Sequence, residues 1–239
     1  MDNAYRYKRI LLKLSGEALK GDEKNGYSHD AINLVVERVG EILNRGVEVA
    51  IVVGAGNIWR GVMGKNGGMD RVSADYMGML ATVMNAICLR DYFNASGISA
   101  MLQCSIPMGP LAPGFDREKA IKALEGGQVV IFAGGTGSPF FTTDTTSALR
   151  ALETDCDAML KATKVNGVYS ADPKLDPAAT RFSELSFDEA LTRQLKVLDA
   201  TAFAMCRDNQ LPIVVFDFAD PSSFDRVLRG DTSAGTIVS

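Results

Sequence analysis

The sequence predicts an α/β fold: a mostly parallel central sheet with helices on both faces, in a three-layer α/β/α sandwich. Two features carry that reading. Short apolar runs rich in β-branched residues, such as Val129-Val130-Ile131-Phe132, alternate with longer stretches of helical periodicity, the pattern of βαβ units. Those runs are apolar at successive positions, as in strands covered on both sides. At 239 residues the chain can bury a substantial core, as one large domain or two small ones.

Arg9 to Leu14 reads as the first strand, ended by the small-residue turn Ser15-Gly16-Glu17-Ala18. After a polar loop from Gly21 to Gly26, Ser28 or Asp30 can cap a helix with Ile32, Val35, Val36, Val39, Ile42 and Leu43 on one face. Gly46 is a fitting residue to close it. Val47 to Val53 is a second strand, ending in Gly54-Ala55-Gly56-Asn57. A glycine-rich loop runs from Arg60 to Gly68, then a long helix from about Asp75 to Asn94, its inner face assigned to Leu80, Val83, Met84, Ile87 and Cys88. Ser99 to Cys104 is a third strand, and the prolines between Pro107 and Gly114 exclude regular helix. Asp116 can cap a helix through Ala120, Ile121 and Leu124, ended by Gly126-Gly127. The fourth strand leads into the loop Ala133 to Asp144, followed by a helix to about Glu153. Ala158 to Thr163 is a strand holding Lys161, and Val165 to Tyr169 suggests a hairpin around an Asn-Gly turn. Asp172-Pro173 and Asp176-Pro177 mark a loop. Ser186-Phe187-Asp188-Glu189 reads as a capping box, and Asp199 as the cap of a helix through Cys206. Leu211 to Phe216 forms a strand, Ser222 to Arg229 a short helix and Thr236 to Val238 a closing strand.

Composition narrows the function. A net charge of −4 argues against a general nucleic-acid binder, but a few local cations still suit a phosphorylated substrate. Cys88, Cys104, Cys156 and Cys206 form no C-x-x-C, which fits reduced thiols and a cytoplasmic protein. His29 is the only histidine, so histidine triads and multi-histidine metal sites are nearly excluded. No apolar run approaches the roughly 18 residues of a membrane span, and the segment Arg9 to Leu14, cut by Lys13, lacks a signal-peptide layout.

In a parallel sheet the functional crevice lies beyond the carboxyl ends of the strands. Three strands end in glycine turns, after Leu14, Val53 and Ala133, so the fold brings all three turns to one edge. The third, Gly134-Gly135-Thr136-Gly137-Ser138-Pro139-Phe140-Phe141-Thr142-Thr143-Asp144, offers N–H groups and hydroxyls to an anion. No G-x-x-x-x-G-K-[ST] is present, and the second turn lacks the last glycine of G-x-G-x-x-G. What remains suits phosphoryl transfer, which needs positioning and positive charge on the moving group. Lys13, Arg60 and glycine N–H groups can supply that charge. Asp144 can orient the lysine or hold Mg²⁺ through water, with no direct protein ligand to the metal. Plainer readings stand beside these: Lys13 as a strand-end lysine, Arg60 as a solvated loop residue, Asp144 and Asp75 as helix caps, and Trp59 with Met77, Met79 and Met84 as packing.

The stretches Lys13-Leu14-Ser15-Gly16, Gly54-Ala55-Gly56-Asn57-x-x-Arg60-Gly61, Asp75-Tyr76-Met77-Gly78-Met79-Leu80-Ala81-Thr82, Gly135 to Asp144 and Lys161-Ala162-Thr163-Lys164-Val165-x-Gly167-Val168 together resemble the bacterial UMP kinases (uridylate kinases) of the amino acid kinase superfamily. The likeness runs from about residue 8 to the C-terminus. It implies one amino acid kinase domain over residues 1–239, with a UMP side to about 155 and an ATP side from about 156. It implies ATP- and Mg²⁺-dependent phosphorylation of UMP to UDP in pyrimidine nucleotide biosynthesis. By that resemblance Lys13, Leu14, Ser15, Gly16, Gly56 and Arg60 meet the ATP phosphates, and Thr163, Tyr169 and Asp172 its adenine and ribose. Ala55, Asp75, Thr136, Gly137, Ser138, Pro139, Phe140, Phe141, Thr142 and Thr143 meet UMP, with Asp75 on the ribose. Lys13 and Asp144 are the expected catalytic pair, Arg60 clamps the transferred group, and Lys161 and Lys164 assist. The second turn carries Ala55 where many members have glycine, which is tolerable at negative φ. Many relatives are homohexamers activated by GTP and inhibited by UTP. Arg90 matches a GTP-contact arginine and Gly21 to Gly26 a segment tied to that activation, whereas Asn94 and Met101 do not match the polar or basic GTP contacts.

Other expectations compete with this one. They are a carboxylate or carbamate kinase of the same fold, a non-catalytic nucleotide-binding protein and a dinucleotide-dependent oxidoreductase. Asp75 and the Pro139 to Thr143 stretch favour a nucleotide acceptor, the set Lys13, Arg60 and Asp144 favours catalysis, and the broken glycine fingerprint disfavours the oxidoreductase.

Overall fold

The computed structural model describes residues 5–60, 68–195 and 197–239. The strands are β1 (Arg9–Leu14), β2 (Glu48–Val53), β3 (Ala100–Cys104), β4 (Val129–Ala133), β5 (Ala158–Thr163), β6 (Glu184–Leu185), β7 (Ile213–Asp217) and β8 (Gly235–Val238). The helices are α1 (His29–Leu43), α2 (Arg71–Ala95), α3 (Arg117–Glu125), α4 (Thr143–Glu153), α5 (Phe187–Thr192), α6 (Ala200–Asp208) and α7 (Ser223–Leu228), with a 3-10 turn at Gly16–Leu19.

The strands form one eight-stranded sheet of order β3-β4-β2-β1-β5-β7-β8-β6. From β3 to β7 every neighbouring pair is parallel. β8 runs antiparallel to β7, and the two-residue β6, which the sequence did not announce, pairs with β8. The chain leaves β1 towards β2 on one side and reaches β5 on the other, so β1 sits at the switch point where such sheets open a crevice.

Each face of the sheet has its own core. Ile10, Leu12 and Leu14 pack with residues of α1, α2 and α7, including Val35, Phe93 and Val227. Leu11, Val52 and Phe132 pack on the other face with residues of α3, α4 and α6, including Leu124, Ala148 and Phe203. Alternation along β1 therefore turns Lys13, two residues after Leu11, towards the α4 layer. Lys161 follows Met159 on β5 in the same way.

Two readings of the sequence need correction. The long helix begins at Arg71 rather than Asp75; Asp70 is its N-cap and accepts from the Ser73 N–H at 3.0 Å. Its inner face is Met79, Thr82, Val83, Asn85, Ala86, Leu89 and Phe93, while Leu80 and Met84 are 48% and 53% exposed. This helix is apolar almost all the way round, so periodicity alone does not fix its phase. It is long and apolar enough to cross a membrane by length and composition, yet it packs Val83, Ala86, Leu89 and Phe93 into the core as a layer helix. The second correction concerns Val165 to Tyr169, which forms no hairpin. Gly167 takes φ +148°, and Tyr169 instead bridges to Arg181. The four cysteines are free, with Cys104, Cys156 and Cys206 buried.

Candidate active site

The three glycine turns meet at the carboxyl edge. Leu14 lies opposite Val53 in the β1–β2 register, and the Gly54 N–H donates to the Leu14 carbonyl at 2.9 Å. A Cβ on Gly16 would stand 2.5 Å from the Gly54 oxygen and 2.6 Å from the Gly56 nitrogen, so only glycine lets the first two turns touch. The third turn is folded by left-handed Gly134, Gly135 and Gly137. Ser105 braces it, donating to the Gly135 carbonyl at 2.6 Å while accepting from Arg150 at 2.8 Å. Ala55 is not among the described non-glycine residues with positive φ, so its methyl fits as expected. Phe140 is among them, at φ +72°, a strained geometry for a bulky residue.

Lys13 and Lys161 are directly paired in the β1–β5 register. Two like charges side by side on adjacent strands repel, and Asp144 sits between them. Its carboxylate is 3.0 Å from the Lys13 ammonium and accepts from Lys161 at 2.9 Å. All three side chains are largely buried, with exposures of 15%, 20% and 14% for Lys13, Lys161 and Asp144. Burial by itself would raise the Asp144 pKa. The two ammonium groups outweigh that and hold the carboxyl below its ordinary value. Lys161 also donates to the Val197 carbonyl at 2.7 Å. The cap reading of Asp144 is corrected: Thr142 caps α4, accepting from the Asp144 and Thr145 N–H groups. The Thr142 hydroxyl in turn donates to Asp199, the N-cap of α6.

Two cavities lie near this cluster: Lys161 lines the larger, Thr142 and Thr143, next to Asp144 in the chain, line the smaller, and Lys13 and Asp144 line neither. The smaller, about 250 Å³, is lined by Ala55, Gly56, Trp59, Asp75, Gly78, Met79, Thr82, Gly135, Phe141, Thr142 and Thr143. The larger, about 740 Å³, is lined by Lys161, Thr163, Val165, Tyr169, Asp172 and neighbours through Leu175, together with Arg193, Gln194, Leu195 and Val197. Asp75 accepts from the Phe140 N–H at 2.8 Å and takes both carboxylate contacts of Arg71, tying α2 to the third turn. Thr136 and Ser138 close a local turn on each other. Leu14 is fully buried, so only its backbone borders the crevice.

Arg60 stands at the rim with its side chain 58% exposed, and its guanidinium donates to Glu17 at 2.5 Å. Lys164 approaches the other Glu17 oxygen at 3.7 Å. Arg90 pairs with Asp91 on α2 and lines neither cavity. Gly61 and most of the loop expected from Arg60 to Gly68 lie outside the described residues. Sequence reasoning passed over Glu17, the wall of Arg193, Gln194, Leu195 and Val197, and the pocket role of Trp59, and it gave Lys161 only an assisting place. The available signal for Lys161 was a lysine with apolar neighbours on both sides within a strand, as with Lys13.

The chain is similar in structure to the UMP kinase of Bacillus anthracis, with a TM-score of 0.94 and 36% identity over 97% of this chain and 96% of that one. It is also similar to the UMP kinase of Ureaplasma parvum, with a TM-score of 0.92 and 39% identity over 98% and 99% of the two chains. A uridylate kinase from Archaeoglobus fulgidus superposes at 0.74 with 27% identity over 96% and 99%. The family model described as the amino acid kinase family matches residues 8–217, a span that takes in the three glycine turns, the paired lysines and Asp144. The chain belongs to the amino acid kinase family.

Proposed function

We propose that this kinase transfers the γ-phosphoryl group of ATP to UMP, giving UDP and ADP. The observation that carries the reading is the buried Lys13–Asp144–Lys161 cluster, whose Lys161 lines the larger cavity and whose Asp144 directly follows Thr142 and Thr143 of the smaller one, which suits two nucleotides meeting by their phosphates. ATP takes the larger cavity, with Thr163, Tyr169 and Asp172 on its adenosine and the turns at Ser15-Gly16 and Gly56 on its phosphates. UMP takes the smaller, between Asp75 and the stretch Thr136 to Thr143. This divides the chain near residue 155 into a UMP side and an ATP side within one domain.

A phosphate oxygen of UMP attacks the γ-phosphorus in line, the new O–P bond forms, and the bond to the bridging β,γ-oxygen breaks. ADP leaves with that electron pair. Lys13 and Lys161 lie where negative charge gathers on the moving group, and Asp144 keeps both ammonium groups aimed there. Arg60, released from Glu17, closes over the phosphates. Among the described residues no three His, Cys, Asp or Glu side chains gather, and Asp144 already serves two ammonium groups. Mg²⁺ would reach the site with ATP and would supply charge neutralisation on the phosphates, with no direct protein ligand needed.

Purified protein with Mg·ATP and a panel of UMP, CMP, acetylglutamate and carbamate tests the reading. ADP release is expected with UMP, and robust turnover of a carboxylate in its place overturns it.

We propose further that the chain is cytoplasmic and assembles with copies of itself, as a homohexamer regulated by GTP and UTP, with Arg90 on the regulatory surface. Support comes from the exposed apolar side chains Tyr76, Met77, Leu80 and Met84 on α2, a patch of the kind that marks interfaces. Leu80→Glu is expected to lower the sedimenting mass of the particle; an unchanged mass would remove α2 from the interface.

A further inference from the structure

We infer that Thr82 and Asn85 of α2 are positioning residues: they set the spacing between the second and third glycine turns and thereby the affinity of the smaller cavity for its nucleotide. Neither touches the reacting atoms. The inference rests on the reading of that cavity as the UMP site.

The two residues stand three apart on one face of α2. That face lies against the sheet, where apolar side chains are the ordinary choice. Thr82 is 6% exposed and Asn85 is 0%, and burying a hydroxyl and a carboxamide is costly unless both are hydrogen-bonded. Both are. The Thr82 hydroxyl donates to the Met79 carbonyl at 2.6 Å and accepts the Gly134 N–H at 3.0 Å. Gly134 begins the third turn with φ +76°, and Thr82 supplies the acceptor for its amide. The Asn85 carboxamide donates to the Gly54 carbonyl at 2.7 Å, in the second turn. It also exchanges two hydrogen bonds with buried Asn57, at 2.8 and 3.0 Å. Asn57 extends the ladder to the Gly26 carbonyl at 3.0 Å, and the Gly26 N–H returns to the Asn57 carbonyl at 3.0 Å.

One rigid helix face therefore grips an N–H of the third turn and a carbonyl of the second. These two turns line the smaller cavity, which also borders Thr82 itself. Removing the Thr82 hydroxyl leaves the buried Gly134 N–H without its acceptor, and the turn relieves this by moving away from α2. The larger cavity does not include Thr82, Gly134 or Gly135, so the effect falls on one substrate only.

Thr82→Val keeps the shape and deletes the hydrogen bonds. It is expected to raise KM for UMP roughly tenfold, the scale of one lost buried hydrogen bond, with KM for ATP within about twofold. Thr82→Ser, which keeps the hydroxyl, is expected to restore the wild-type KM for UMP. Amide hydrogen exchange in residues 134–137 should quicken in Thr82→Val while the β4 amides stay protected. Should the valine variant fail to fold, Thr82→Ala carries the same expectations without crowding the contact. The proposal is overturned if both KM values move together, if only the melting temperature falls, or if the serine variant behaves like valine. Exchange is read without substrate, so it tests the positioning claim even if wild-type protein fails to turn over UMP.

Discussion

Lys13→Ala is expected to lower kcat by roughly 10²–10³, the cost of removing one donor aimed at a transition state. The ammonium group is 3.0 Å from Asp144, largely buried, and paired in register with Lys161, which lines the larger cavity. There it is poorly screened and already ordered, so little is spent on reorganisation during the reaction. The charge that gathers on the transferring group exists fully only in the transition state, so the loss belongs in kcat. KM for either nucleotide should move less. Lys161, next to Lys13 in register, remains on Asp144 and keeps some positive charge at the site, which sets the lower end of the range. A kcat within a few-fold of wild type, with only KM raised, would make Lys13 a binding residue and pass the catalytic role to Lys161.

The site also shows what one sequence can and cannot disclose. Its glycine turns were legible because each follows an apolar run whose end is plain, and parallel strands put such ends on one edge. β1 and β5 were read at Arg9–Leu14 and Ala158–Thr163, the bounds observed, because continuous apolar runs between polar turns leave little choice. The pairing of Lys13 with Lys161 was not legible. It depends on the register of strands that are neighbours in the sheet but far apart in the chain, and periodicity carries no information on that. Glu17 escaped for a related reason: its role is given by Arg60 and Lys164, which reach it from two other loops. The phase of α2 failed for the opposite reason. Its inner face mixes Thr82 and Asn85 with Met79, Val83, Ala86, Leu89 and Phe93, while the equally apolar Leu80 and Met84 face outward. With apolar side chains on both sides, hydrophobicity does not single out the inner face, and the polar rungs that grip the site are taken for outer surface.

Asp144→Asn should lower kcat by about 10², the scale reached when catalytic groups are misplaced by about an ångström. It should also cost on the order of 2 kcal/mol in stability, since two largely buried ammonium groups lose their shared counter-charge. The helix cap does not enter, because Thr142 and not Asp144 provides it. The pH dependence identifies the source of the lost stability. The Asp144 pKa lies below the ordinary 3.8 in the folded protein, because Lys13 and Lys161 outweigh the effect of burial. A depressed folded pKa stabilises the native state above the unfolded value, and that stabilisation is lost as pH falls through the folded value. The stability gap between wild type and Asp144→Asn should therefore be full near about pH 6 and narrow steadily below 3.8. A gap that stays constant down the acid limb would mean that the carboxylate charge is not what holds the lysines. If instead the gap closes as described but kcat is unchanged, Asp144 only neutralises two crowded lysines, and aiming them at the phosphoryl group falls to the strand register alone.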